Sequence, residues 1–348
     1  MGAESEFRTF QYEVLAGPDD LNVQVAEGNC IFEFDYSKVY WNSKLETEHR
    51  RLINIFQPGE VVCDVMAGIG PFAVPAGKKH VFVWANDKNP ESFKCLEAAI
   101  TKNKVSVTPA PDPLPPPHPP FQPPRPFPHT HLCPTCPTDH PPPSHRAAPF
   151  LQVSQFVRPF CADGREFIHD AADAVLLASR NGVHATIARK VKSQAARPAS
   201  PSRPGSPPSK KARRTVENET IPLPPTISHF VMNLPASAIE FLSSYRGVYA
   251  GHEALFHPHT ATRLPVVHVH CFSYKADDET PGVDIRERIS RELGYPVKAS
   301  SAEGTGAGDE EWEEGVVRIH KVRDVAPAKS MYCASFRLPG EVAFAARG

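Results

Sequence analysis

The chain opens on short alternations of apolar and polar residues. Thr9 to Leu15, Asn22 to Val25 and Asn29 to Asp35 each repeat every two residues, with a turn at Gly17-Pro18-Asp19-Asp20 between the first two. Period two marks half-buried strands, so residues 1–40 are expected to form a small antiparallel β piece that must lean on the larger remainder of the chain. From Asn42 or Ser43, a helix cap, the period changes: Leu45, Leu52, Ile53 and Phe56 recur at helical spacing until Pro58-Gly59 stops them. Apolar strand-like runs then alternate with helical stretches. The runs are Val61–Asp64, Val81–Asp87, Val153–Phe160, His229–Asn233, Val266–Phe272, Gly315–Val322 and Tyr332–Leu338. The helices are a segment opened after Gly70, then Pro90–Asn103, Ile168–Asn181, Ser237–Tyr249 and Pro281–Leu293. The last two strands follow each other with no helix between them. This order predicts an α/β fold: a seven-stranded, mostly parallel sheet with one antiparallel strand, occupying residues 41–348.

Composition changes that picture in two places. Residues 106–150 hold 18 of the 39 prolines, a density that no helix or strand interior survives. Residues 192–220 are rich in Ser, Pro and basic residues, including Lys210-Lys211-Ala212-Arg213-Arg214. Both are expected to be disordered insertions within the domain. Cys133-Pro134-Thr135-Cys136 has the spacing of half a zinc site, but no second pair follows, so no metal is expected. The eight cysteines are scattered through the chain, as reduced thiols are. With 38 basic and 39 acidic side chains, any attraction to nucleic acid must be local. No apolar run reaches the roughly 18 residues that cross a bilayer, and no leader pattern opens the chain, so a soluble, intracellular monomer without membrane contact is expected.

The candidate chemistry lies at the ends of the strands. Asp64, Asp87, Asp163 and Asn233 stand at or just after the carboxyl ends of the first four runs, where open α/β sheets bind ligands. Between Asp64 and the next helix come Ala67, Gly68 and Gly70, which let backbone approach a ligand closely. An acid ahead of the glycines and no third glycine at the dinucleotide spacing disfavour a pyrophosphate. S-adenosylmethionine, cationic and free of phosphate, suits these residues better than NAD.

Several segments carry a more specific likeness. Glu6–Gly17, Lys38–His49, Asp64–Phe72, Ala85–Ser92, Asp163–Phe167, Met232–Pro235 and Arg323–Pro327 resemble the eukaryotic and archaeal tRNA (guanine-N1)-methyltransferases, within the Rossmann-like class I methyltransferase fold. That family methylates N1 of the guanosine 3′ of the anticodon, so the resemblance implies a tRNA partner. It implies Glu48 as the general base for the N1 proton, Arg8 as the group steadying charge on O6, and Asn233 as the holder of guanine. Tyr40 and Pro235 would line the guanine and methionine pocket. His49, Asp64, Gly68, Gly70, Asp87, Lys88, Asp163, Gly164 and Asn233 would meet S-adenosylmethionine. One departure is Lys44, where the family usually has Arg. The family also has an RNA-reading domain ahead of the piece matching residues 7–40, so an N-terminally truncated member is expected, its alternative an inactive or cofactor-binding remnant. Members work in cytoplasm, nucleus and mitochondrion.

Overall fold

The computed structural model describes residues 12–103, 155–192, 214–274, 281–300 and 312–347, all within one compact unit. The proline-rich insertion expected at 106–150 lies outside them, as do Arg8 and residues 9–11 of the first alternation.

Strands β1 (Asn22–Glu27) and β2 (Cys30–Asp35) form an antiparallel hairpin. Gly28 and Asn29 link them, both with positive φ (58° and 60°), the two-residue turn whose twist matches its strands. Cys30, Phe32 and Phe34 on one face join the same apolar core as the rest of the protein, and the Asn103 side chain bonds both the N–H and the C=O of Ile31. The hairpin is therefore a flap on the main domain. Asn42 caps a short 3-10 turn, its side chain accepting from the Lys44 N–H, and α1 (Glu46–Ile55) follows.

Then come β3 (Val61–Asp64), α2 (Ala73–Lys78), β4 (Phe82–Asn86), α3 (Pro90–Lys102), β5 (Val157–Phe160) and α4 (Gly164–Arg180). Asn89 and Asp163 cap α3 and α4, accepting from the N–H groups of Glu91 and Arg165. Next are β6 (His184–Lys192), β7 (Arg214–Pro222), β8 (His229–Met232), β9 (Val266–Tyr274), α5 (Pro281–Leu293), β10 (Lys298–Ala299), β11 (Val316–Ala326), β12 (Lys329–Arg337) and α6 (Gly340–Ala343).

The main sheet runs β10-β11-β12-β9-β8-β3-β4-β5. Strands β3, β4, β5, β8 and β9 are mutually parallel, and β12 runs against both β9 and β11. Leaving aside β10, an edge strand of two residues, this is the expected seven-stranded sheet with one reversed strand, the class I methyltransferase arrangement. The chain moves from β3 outward through β4 and β5, then returns to place β8 on the other side of β3. A crevice opens where that order switches.

Two expectations are corrected. Segment 192–220 is not unstructured at its ends, because β6 and β7 pair in antiparallel register from His184↔Pro222 to Lys192↔Arg214. Their base is held by Ala185, Ile187 and Ile221 packing on the core, an alternation too short to stand out beside the basic, proline-containing stretch; residues 193–213 lie outside the described ones. The stretch expected as a helix over Ser237–Tyr249 is a 3-10 helix over Ala238–Tyr245. Among the described residues, six cysteines are free thiols and no helix is long and apolar enough to cross a membrane.

Candidate functional site

The crevice at the switch point is a cavity of about 400 Å³ at the carboxyl ends of the parallel strands. Nine of the expected site residues line it: Tyr40, His49, Gly68, Asp87, Lys88, Asp163, Gly164, Asn233 and Pro235. Glu48, Asp64 and Gly70 do not, and Arg8 is outside the described residues.

The loop after β3 forms one wall. Asp87, just beyond β4, accepts from the Gly68 N–H (2.8 Å) through Oδ2 and from the Asn89 N–H (2.9 Å) through Oδ1. Burial raises its pKa, and those two N–H groups oppose the rise. Each oxygen keeps a lone pair for a ligand hydroxyl. The two glycines separate by role. At Gly68 (φ +56°) a Cβ would meet nothing within 4 Å, so its backbone is open to the cavity. At Gly70 (φ +97°) a Cβ would come within 2.6 Å of Leu96 Cδ1 and 2.9 Å of Val74 Cγ2, so that glycine serves helix packing.

Beside Asp87, Asp163 caps α4 and pairs with Lys88 at 3.3 Å, and the Arg165 N–H is the main cause of its lowered pKa. His49 is tied by Nδ1 to Glu27 Oε1 and stands edge-on to Phe72. Asn233 follows β8, and its buried Oδ1 has no hydrogen-bond partner. Unpaired acceptors of this kind are costly in a protein interior and common where a ligand supplies the donor.

Asp64 lies beneath the wall, fully buried, with neither carboxylate oxygen in a hydrogen bond. Burial, reinforced by the Asp87 charge, pushes its pKa up to about 8; His270 and the Met66 N–H act in the opposite direction without the latter reaching hydrogen-bond geometry. Without a cationic neighbour in the cavity this carboxyl holds its proton at neutral pH.

Glu48, also buried, belongs to a polar cluster under the same floor. Its carboxylate accepts a two-pronged contact from Arg51 (2.7 and 2.8 Å) and stands 2.8 Å from His270 Nε2. Burial acts to raise its pKa, but Arg51 and His270 outweigh this and hold it below the ordinary carboxylate range. The Glu48, His270 and Cys333 ligand atoms also lie within 4.8 Å of one another, but Arg51 already provides the cation there.

Sequence reasoning missed the far wall. Phe272, Arg323, Val325 and Met331, from β9 and the β11–β12 hairpin, line the cavity beside Asn233 and Pro235. In the sequence Arg323–Pro327 stands out only as a likeness, since nothing in strand periodicity says which way Arg323 points.

Comparison with known proteins gives the site a context. Residues 23–110 match the family model described as the TRM5/TYW2 methyltransferase domain. Over 347 residues the chain is 56% identical to tRNA (guanine(37)-N(1))-methyltransferase of Neurospora crassa, covering 100% of this chain and 58% of that protein. Proteins of the same name are 54% identical in Fusarium vanettenii (100% and 59% covered) and 40% identical in Schizosaccharomyces pombe (98% and 59%). The chain thus spans under two thirds of the length of these relatives. Among solved structures, Trm5b of Pyrococcus abyssi is similar at 20% identity and a TM-score of 0.46, covering 93% of this chain and 58% of that one.

Proposed function

We propose that this chain carries the methyl-transfer unit of a tRNA (guanine(37)-N(1))-methyltransferase, acting as a monomer in an aqueous compartment, with S-adenosylmethionine as methyl donor. The observation that carries this reading is the 56% identity, along the whole chain, to the Neurospora protein of that name.

The residues lining the cavity, and Asp64 beneath its wall, fit such a cofactor. Asp64, buried without a partner, favours a cation close by, and Asp87 offers free acceptor capacity to a ribose hydroxyl. Gly68 leaves its backbone open, and Asp163 and Gly164 also line the cavity. When bound, S-adenosylmethionine supplies an electrophilic methyl group on a sulfonium.

The chain's own residues then have to prepare guanine as a nucleophile. N1 carries a proton, so its lone pair becomes available only as that proton leaves. Asn233 Oδ1, unpaired and at the cavity, is suited to accept from a guanine N–H and hold the ring between Tyr40 and Pro235. Glu48 is proposed as the base: it is ionised and lies one residue from His49 of the lining. To take the N1 proton it must exchange one of its Arg51 or His270 contacts for the substrate. Arg8 is proposed to steady the charge on O6 as the proton departs.

The test is purified chain with labelled S-adenosylmethionine and two unmodified tRNA transcripts, carrying guanosine or adenosine 3′ of the anticodon. Label at N1 of the guanosine transcript alone is expected, with a loss on the order of 10²- to 10⁴-fold for Glu48→Gln. Cofactor binding without transfer would instead identify a cofactor-binding remnant.

A further inference from the structure

Among the described residues, three cationic or titratable nitrogen groups line the cavity: His49, Lys88 and Arg323. The first two have acidic partners, Glu27 and Asp163. Arg323 donates Nε only to the main-chain oxygen of Asp324, at 3.3 Å. The acid nearest in sequence is not its counter-ion, because Asp324 Oδ1 is engaged by Lys321 Nζ at 2.7 Å and by Ser330 Oγ.

The placement of Arg323 is a consequence of strand register. Along β11, His320 lies opposite Cys333 and Lys321 opposite Tyr332, so these two neighbours project to opposite faces of the sheet. In an unbroken ladder Arg323 would share the face of Lys321. The ladder slips between Lys321 and Arg323, leaving Val322 unmatched and setting Arg323 opposite Met331. Met331 shares the face of Cys333, two residues on, so one inserted residue carries the guanidinium to the cavity side. A second slip between Asp324 and Ala326 leaves Val325 unmatched, and that side chain also lines the cavity. Bulges that re-aim a side chain concentrate at functional sites.

An arginine at such a mouth is built for an anion with two coplanar oxygens. Two anions are at hand under the function proposed above: the carboxylate of the cofactor and the phosphodiester of the nucleotide whose base enters. The residues suited to the cofactor stand after β3, β4 and β5, whereas Arg323 is on the other side of β8 and β9, beyond Asn233. We propose that Arg323 binds the phosphodiester of the target nucleotide and so fixes the base in register with Asn233.

This rests on the RNA substrate proposed above, and binding separates the two. The dissociation constant of an unmodified tRNA transcript is measured against salt for wild type, Arg323→Ala and Arg323→Lys, with S-adenosylmethionine affinity by calorimetry in parallel. Arg323→Ala is expected to bind RNA about tenfold more weakly, with a log–log salt slope shallower by about 0.7 to 1, and to keep its cofactor affinity. Arg323→Lys restores the slope and only part of the affinity, since a point charge lacks the planar fork. Weakened cofactor binding with an unchanged RNA slope would overturn the proposal and assign Arg323 to the cofactor carboxylate; identical slopes and affinities would overturn it in favour of a solvated side chain. Failure of wild type to methylate guanosine while these slopes still differ would sink the proposed reaction and leave the phosphate contact standing.

Discussion

Glu48 Oε1 lies 2.8 Å from His270 Nε2, joining α1 to β9 across 222 positions of sequence. The other ring nitrogen of His270 faces the Met232 carbonyl at 3.3 Å, and a carbonyl can only accept, which assigns the Nδ1 proton. His270 therefore ties the proposed base to the residue immediately before Asn233. Burial acts to lower its pKa, but Cys333 and Glu48 outweigh that and raise it, so the pair is an imidazolium on a carboxylate.

His270→Ala is expected to destabilise the fold by about 3 kcal/mol, because it leaves a buried carboxylate hydrogen-bonded to Arg51, with His320 Nε2 3.8 Å away. The depressed Glu48 contributes stability above its ordinary value of 4.5 and loses it as pH falls through its lower folded value. The raised His270 contributes below 6.5 and loses it as pH rises through its higher folded value. Urea unfolding should thus show the largest gap between wild type and variant from pH 4.5 to 6.5, narrowing on both sides.

Asp64 has the opposite linkage. Between its ordinary 3.8 and its folded value of about 8, the native state holds a proton that the unfolded chain has lost, so stability falls as pH rises through this window. Asp64→Asn should stabilise the ligand-free protein by an amount that grows as pH rises from 3.8 toward 8, and make little difference below pH 3.8. The same variant should bind S-adenosylmethionine more weakly, and wild-type binding at about pH 7 should release protons, read by calorimetry in buffers of different ionisation enthalpy.

Alanine at the two glycines should separate ligand contact from packing. Gly70→Ala must push Leu96 and Val74 aside and bear a positive φ, so a loss of about 2 to 3 kcal/mol in thermal unfolding is expected. Gly68→Ala meets no neighbour and should lose only about 1 kcal/mol, from its φ of +56°. Its larger effect should be on cofactor affinity, since the new methyl group stands at the cavity wall.

Asn233→Ala removes an oxygen that makes no hydrogen bond, so stability should stay within about 0.5 kcal/mol of wild type. Methyl transfer should nevertheless fall by at least about 100-fold, with the loss in turnover and RNA affinity and not in cofactor binding. A matching fall in melting temperature would show that the side chain serves the turn instead.

Local chemistry made much of this molecule legible from its sequence. The two-residue alternation of β1 and β2, the cap at Asn42, and the acids after successive apolar runs are set by hydrogen bonds and periodicities a few residues long. These determined the fold class and where the cavity would lie. They did not determine which side chains reach it. Asp64 and Asp87 end neighbouring strands, yet one is sealed beneath the floor without a partner and the other is open at the wall. Likewise, the β6–β7 hairpin, the Glu48–His270 pair and the face taken by Arg323 depend on strands far apart in sequence meeting in one register. A slip of one residue reverses every side chain beyond it, so only the assembled sheet decides them.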